Sequence, residues 1–230
     1  MIDNRKDHTV QTHYQGPQRL MDIAVAGRTI RLVRPVEPDR LLDEPGVAEL
    51  NARDDYMPYW AYLWPGAIML AEAVLRTPWP PGTEALEIGC GLGLAGLAGV
   101  MAGLRVTLSD YDQAPLAFVA QSAEANGFGP DSYSLRTLDW RDLPHQTYPL
   151  ILGSDVLYER RLVPLVVNLI DRMLAPDGIA MLAGPYRVAT EDLEPALRAR
   201  GLRFETEVTS GVDDGGERVR GTLHRITRQS

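Results

Sequence analysis

Cysteine is nearly absent from this chain of 230 residues: Cys90 is the only one. That excludes a disulfide framework and any zinc site built on cysteines. Histidine is scarce too, and His8, His13, His145 and His224 show no ligand spacing, which argues against a histidine-rich metal site. No apolar run reaches the roughly 18–20 residues needed to cross a bilayer. The opening MIDNRKDHTVQTHYQGPQRL has no apolar segment of the secretory type. A soluble, cytoplasmic protein with no membrane partner is the expectation. Positive charge is the minority sign, 23 basic against 31 acidic residues for a net charge of −8. Nucleic acid, whose phosphates need a basic face, is therefore not an expected partner. What is present is ordinary globular composition, 45% apolar and 23% charged, which excludes wholesale disorder. The length suits one α/β domain with terminal additions.

Residues 1–20 are polar and aperiodic, which predicts a flexible tail ahead of a single domain over 21–230. Within it, 21–77 reads as an N-terminal extension and lid, and 78–230 as the core. MDIAVAGRTIRLVRP predicts a hairpin turning at Ala26-Gly27-Arg28. DRLLDEPGVAEL gives a helical turn or two broken at Pro45-Gly46, and the aromatic run from Tyr56 to Trp64 leads into a helix opened by Pro65. From Pro80 onward strands and helices alternate. ALEIGCG, RVTLSDYD, SYSLRTLDW, YPLILGSDVLYE and GIAMLAG read as strands. LAGLAGVMA, PLAFVAQSAEA, LVPLVVNLIDRML and EDLEPALRARG read as helices, the third closed by Ala175-Pro176-Asp177-Gly178. This alternation implies right-handed crossovers and a doubly wound, Rossmann-like parallel sheet with helices on both faces. RFETEVTS and RVRGTLHRIT, joined only by a turn, must pair as an antiparallel C-terminal hairpin.

The chemistry-bearing residues fall at strand ends. Gly89-Cys90-Gly91-Leu92-Gly93 sits where the first core strand meets its helix. Glycines there let a ligand approach the backbone and the helix-terminal N–H groups. Gly91, Gly93 and Gly96 also satisfy the dinucleotide fingerprint G-x-G-x-x-G, so a nicotinamide-dependent oxidoreductase is one reading. Glu87 stands two residues before Gly89, Asp110 ends the next strand, and Asp139-Trp140 ends the third. A carboxylate at Asp110 can accept two ribose hydroxyls, and Trp140 offers a flat face to a base. Together they point to a nucleoside pocket. Singly, each has a structural alternative: the glycines can serve strand–helix packing, the aspartates can cap helices, and Trp140 can be a core aromatic. Cys90, with no histidine partner nearby, reads as a small tolerated residue rather than a nucleophile.

LEIGCGLGLAGL, SDYD, LDW and SDVLY, in that order, resemble the successive motifs of class I S-adenosylmethionine-dependent methyltransferases. Asp155-Val156-Leu157-Tyr158, preceded by PYWAYLWPGAIMLAEAVL, resembles the family 16, seven-β-strand protein lysine methyltransferases. Within it the Trp-Pro-Gly segment looks most like the branch containing the electron-transfer-flavoprotein β-subunit lysine methyltransferase. The resemblance implies that Gly89, Gly91 and Gly93 pass the methionine portion of the cofactor, which leaves as S-adenosylhomocysteine. It also implies that Asp110 binds the ribose, with Tyr111 beside the adenine and Asp139 at its amine close to Trp140. Glu87 would be among the cofactor-binding residues, Trp64 would line the methionine end, and Ser154 would sit against the cofactor. Asp155 would orient the amine by side chain or backbone carbonyl, and Tyr158 would shape the opening; no metal is implied. The expected acceptor is a lysine on a protein substrate. Relatives of nicotinamide type keep a small-molecule amine or heterocycle open as acceptor, and a binding module without turnover is a further alternative.

Overall fold

The computed structural model describes residues 14–44, 46–186 and 190–229. Strands β1 (Gln18–Val25) and β2 (Arg28–Pro35) form an antiparallel hairpin that stands apart from the main sheet. Its two-residue turn, Ala26 and Gly27, has φ of 49° and 75°, the left-handed pair that matches strand twist in tight hairpins. The hairpin begins earlier than expected: residues 18–20 of the anticipated tail belong to β1, and Tyr14 packs its ring 6.0 Å from Phe118. The remainder of that stretch, residues 1–13, lies outside the described residues. A 3-10 turn (Pro38–Asp43) and helix α1 (Val47–Asp54) follow, then α2 (Pro65–Arg76), opened by its proline as expected.

The remaining elements alternate: β3 (Glu84–Ile88), α3 (Leu94–Met101), β4 (Arg105–Asp110), α4 (Ala114–Ala125), β5 (Tyr133–Thr137), β6 (Tyr148–Ser154), α5 (Val163–Met173), β7 (Leu174–Pro185), α6 (Thr190–Ala199), β8 (Leu202–Val212) and β9 (Arg218–Arg228). Seven strands form one sheet in the order β5-β4-β3-β6-β7-β9-β8. The first five of these are parallel to one another, and β9 runs antiparallel to both β7 and β8. One boundary differs from the sequence reading. Leu174, expected as the helix's last residue, and residues 175–178, expected as the loop closing it, begin β7, because Leu174 pairs with Tyr148 before the register shifts. A pairing partner here overrides the turn chemistry of Pro176 and Gly178.

Strand alternation separates the core into two faces. In β3, Ala85 joins a cluster with α2, α3 and α4, whereas Leu86 and Ile88 join a cluster with α5 and α6. In β6, Leu150 and Leu152 face the first cluster and Ile151 the second. Each fully buried Leu or Ile on these faces contributes about 1.5–3 kcal/mol, so the apolar layers and not the polar loops carry the fold. No helix among the described residues is long and apolar enough to cross a membrane.

The chain steps outward from β3 through β4 to β5, then crosses back to place β6 on the other side of β3. This reversal opens a crevice at the carboxyl ends of the strands, the place where doubly wound sheets hold ligands.

Candidate active site

A cavity of about 440 Å³ occupies that crevice. One wall is the strand-end loops; the other is the segment running from Asp54 to Trp64. The loop after β3 turns on Gly89, Gly91 and Gly93, all left-handed at φ of 57°, 51° and 77°. At Gly91 an added Cβ would meet the Trp60 carbonyl oxygen at 3.4 Å, an ordinary contact, so its left-handed backbone rather than lack of space favours glycine.

At the β4 end, the Gly91 amide donates to Asp110 Oδ2 at 2.9 Å and the Asp112 amide to Oδ1 at 3.2 Å. Burial pushes the Asp110 carboxyl up to about 6, against the lowering pull of those two amides. Tyr111 donates its hydroxyl to Asp54 Oδ2 at 3.0 Å and accepts from Arg141 Nη2 at 2.9 Å. Asp139, just past β5, is gripped by Arg141, with Nε to Oδ1 at 2.9 Å and Nη2 to Oδ2 at 2.8 Å. Such a fork of charge-assisted bonds fixes both carboxylate oxygens.

At the β6 end the wall is aromatic. Trp64 donates Nε1 to the Tyr59 carbonyl at 2.8 Å and meets the Tyr59 ring edge-on, centroids 6.0 Å apart. Tyr59 also contacts Tyr158, centroids 5.6 Å apart at 75°. Tyr158 is held up at about 12, burial being the main cause, so its phenol stays protonated. Asp155 adopts φ 53°, and its Oδ2 accepts from the Gly66 amide, 2.7 Å, at the first turn of α2. The carboxylate therefore does serve a helix N-terminus, but that of α2, 89 residues earlier in sequence, rather than the helix that follows.

Residues 60–192, more than half of the chain, match the family described as lysine methyltransferase. The chain belongs to that family. It is 31% identical over 143 residues to the electron transfer flavoprotein beta subunit lysine methyltransferase of Xenopus laevis, covering 61% of this chain and 57% of that protein. It is 33% identical over 135 residues to the histone-arginine methyltransferase METTL23 of Rattus norvegicus, covering 52% and 59%. This member of the lysine methyltransferase family thus spans less than two thirds of either relative's length. Among solved structures it shares its fold with magnesium protoporphyrin IX methyltransferase from Synechocystis PCC 6803 with bound S-adenosylmethionine. The TM-score is 0.58 at 17% identity, over 70% of this chain and 76% of that one.

In this family member the cavity wall brings together Trp64, Gly89, Gly91, Gly93, Asp110, Tyr111, Asp139, Trp140, Ser154, Asp155 and Tyr158, all singled out from the sequence. Glu87 is the exception and corrects the expectation. Its phase in β3 turns it beneath α3, where Oε2 accepts from the Gly96 amide at 3.0 Å, away from the cavity. The sequence reading missed Asp54, Arg141 and Arg161, which also line the cavity. Arg141 had a local signal, a cation two residues after a strand-end acid; Asp54 had none. Among the described residues no cluster of three or more His, Cys, Asp or Glu is placed to hold a metal.

Proposed function

We propose that this chain is an S-adenosylmethionine-dependent methyltransferase whose acceptor is a lysine amine on a protein substrate. The observation that carries the reading is a single cavity with two unlike ends. A glycine loop and the strand-end carboxylate of Asp110 stand at one, and an aromatic-walled opening beside Asp155 and Tyr158 at the other. The residues present fit the cofactor: the volume suits a nucleoside-sized ligand, Gly89 leaves a space that a Cβ would crowd against Trp140 and Val156, and Asp110 presents an acceptor for ribose hydroxyls. Gly89, Gly91 and Gly93 would pass its methionine portion, Trp64 and Ser154 would line that end, and Tyr111 and Trp140 would flank the adenine. Asp139 would act there through its pair with Arg141. When bound, the cofactor supplies a methyl group on an already activated sulfonium.

The chain's own task is then to deliver a neutral amine in line and without water. Tyr59, Trp64 and Tyr158 strip solvent from an entering ammonium, which lowers its pKa and favours loss of its proton. Tyr158, protonated to about pH 12, forms wall and hydrogen-bond donor rather than base. The Asp155 carboxylate is directed at Gly66, so in this reading Asp155 orients the amine through its main chain while its side chain fixes α2.

Methyl-labelled S-adenosylmethionine, added with the purified protein to a dialysed lysate and to a metabolite extract, tests this, with Asp110→Ala as the binding-deficient control. The expected result is label in a discrete protein band, lost in the control, with methyl-lysine recovered on digestion. Lys6 is the chain's own single lysine, so self-labelling is confined to one site. Label only in the small-molecule fraction, or methyl-arginine in the band, would overturn the lysine assignment.

A further inference from the structure

Helix α1 differs from the rest of the cavity's surroundings. It buries a single residue, Val47, and both flanking positions are left-handed, Gly46 at φ 95° and Asp55 at φ 52°. The segment after it is pinned by several side chains: Tyr56 bonds Asp112, Tyr62 bonds Asp39, and Gly66 bonds Asp155. Apart from Val47 at its start, what secures α1 is polar and lies at its C-terminal end. Asp54 Oδ1 accepts from Arg141 Nη1 at 3.2 Å while Oδ2 accepts from Tyr111. The Arg141 guanidinium stands 5.3 Å over the Tyr111 ring and holds Asp139 with its remaining nitrogens. Arg161 reaches the carbonyls of Asp54 and Asp55 at 3.2 and 3.4 Å. Arg141 thus joins the end of α1 to the ends of β4 and β5 at the cavity wall, and with its side chain 47% exposed it is open to water and salt.

We propose that Arg141 is a positioning residue that clasps the C-terminal end of α1, Asp54, against the cavity rim, so that ligand enters and leaves only when that end lifts away on Gly46 and Asp55. The proposal rests on the reading of this cavity as the S-adenosylmethionine site. It explains why both residues expected at the adenine, Tyr111 and Asp139, are engaged by one guanidinium, and why a weakly buried helix sits between two pivots. Asp is among the few residues that take the left-handed conformation without glycine's freedom.

The test is the association and dissociation rate of S-adenosylhomocysteine, followed by the fluorescence of the tryptophans lining the cavity. In Arg141→Ala both rates should rise about fivefold or more, the factor that loss of a rim ion pair and its hydrogen bonds supplies, with Kd moving less than either rate. Arg141→Lys, which keeps the charge but not the fork, should fall between. Asp54→Asn should reproduce the effect alone and add little on top of Arg141→Ala. A merely structural role would lower Tm without speeding association, and a direct ligand contact would speed dissociation alone; either result overturns the clasp. The wild-type protein provides a check that needs no variant. S-adenosylhomocysteine is a zwitterion, so about 1 M salt should speed its association by weakening the clasp, and an unchanged rate overturns the proposal. Equilibrium binding is measured first. If the wild type does not bind S-adenosylhomocysteine, the functional reading itself fails, whereas binding with unaltered rates in the variants removes the clasp alone.

Discussion

Glu87 is a carboxyl group with almost no solvent. One oxygen accepts from Gly96, and the other has no hydrogen-bond partner among the described residues. Burial pushes it up to about 8, with the Gly96 amide pulling down and the charge of Asp110 adding to the rise. At neutral pH it therefore carries its proton when folded, whereas an unfolded glutamate ionises near 4.5. Below pH 4.5 both states are protonated. Between 4.5 and 8 the unfolded chain binds fewer protons than the native one, so stability falls as pH rises and levels off above 8. Glu87→Gln, neutral throughout, should lose that slope: from pH 5 to 8 the wild-type Tm should drop by about 10 °C relative to the variant. Asp110, raised to about 6, acts below that pH in both proteins and cancels in the comparison. Parallel Tm profiles would show that Glu87 is ionised in the native state.

Helix α2 shows why the Trp-Pro-Gly segment has its composition. Trp64 is the extended N-cap, Pro65 takes the first helical position, and Gly66 brings its amide against Asp155. A Cβ on Gly66 would overlap the Asp155 carboxylate and come 2.7 Å from the Ala183 carbonyl oxygen. Gly66→Ala should therefore shift α2 off β6 and β7 and cost about 1–3 kcal/mol, despite alanine's better helix propensity. It should also weaken methyl transfer, because Trp64 moves with the helix. Urea unfolding within about 0.5 kcal/mol of wild type would contradict this. Most elements at this scale were legible in the sequence, since strand alternation, Pro65 and the Ala26-Gly27-Arg28 turn are local signals. The strand-end carboxylates were legible for the same reason, being fixed by where each strand stops. Glu87 was misassigned because a strand's phase is readable, but which face borders the cavity depends on helices placed later. The Asp54–Arg141 pair joins the end of α1 to a loop 87 residues away, and a polar pair so far apart in sequence has no period that could announce it.

Across the whole molecule, the N-terminal hairpin is attached by polar ties of long range. The outer edge of β2 is covered by side chains of α4 and its cap: the Arg31 amide donates to Asn126 Oδ1 and the Val33 amide to Ser122 Oγ, both at 2.9 Å. Side chains thus satisfy an edge that would otherwise invite another strand. At the end of β2, Arg34 reaches Asp214 in the turn between β8 and β9, with Nη2 to Oδ2 at 2.7 Å and Nη1 on Oδ1. The two partners are unequal: the Arg34 side chain is 5% exposed and Asp214 33%. Removing Asp214 strands a buried guanidinium, whereas removing Arg34 leaves a carboxylate that can turn to water. Asp214→Ala should accordingly cost about 2–3 kcal/mol and Arg34→Met clearly less, since an apolar chain of similar length refills the space. The double variant should then resemble Arg34→Met alone. Urea unfolding at constant m-value measures all three, and an Arg34→Met loss larger than that of Asp214→Ala would mean that packing of the arginine stem, not its charge, joins the hairpin to the C-terminal turn.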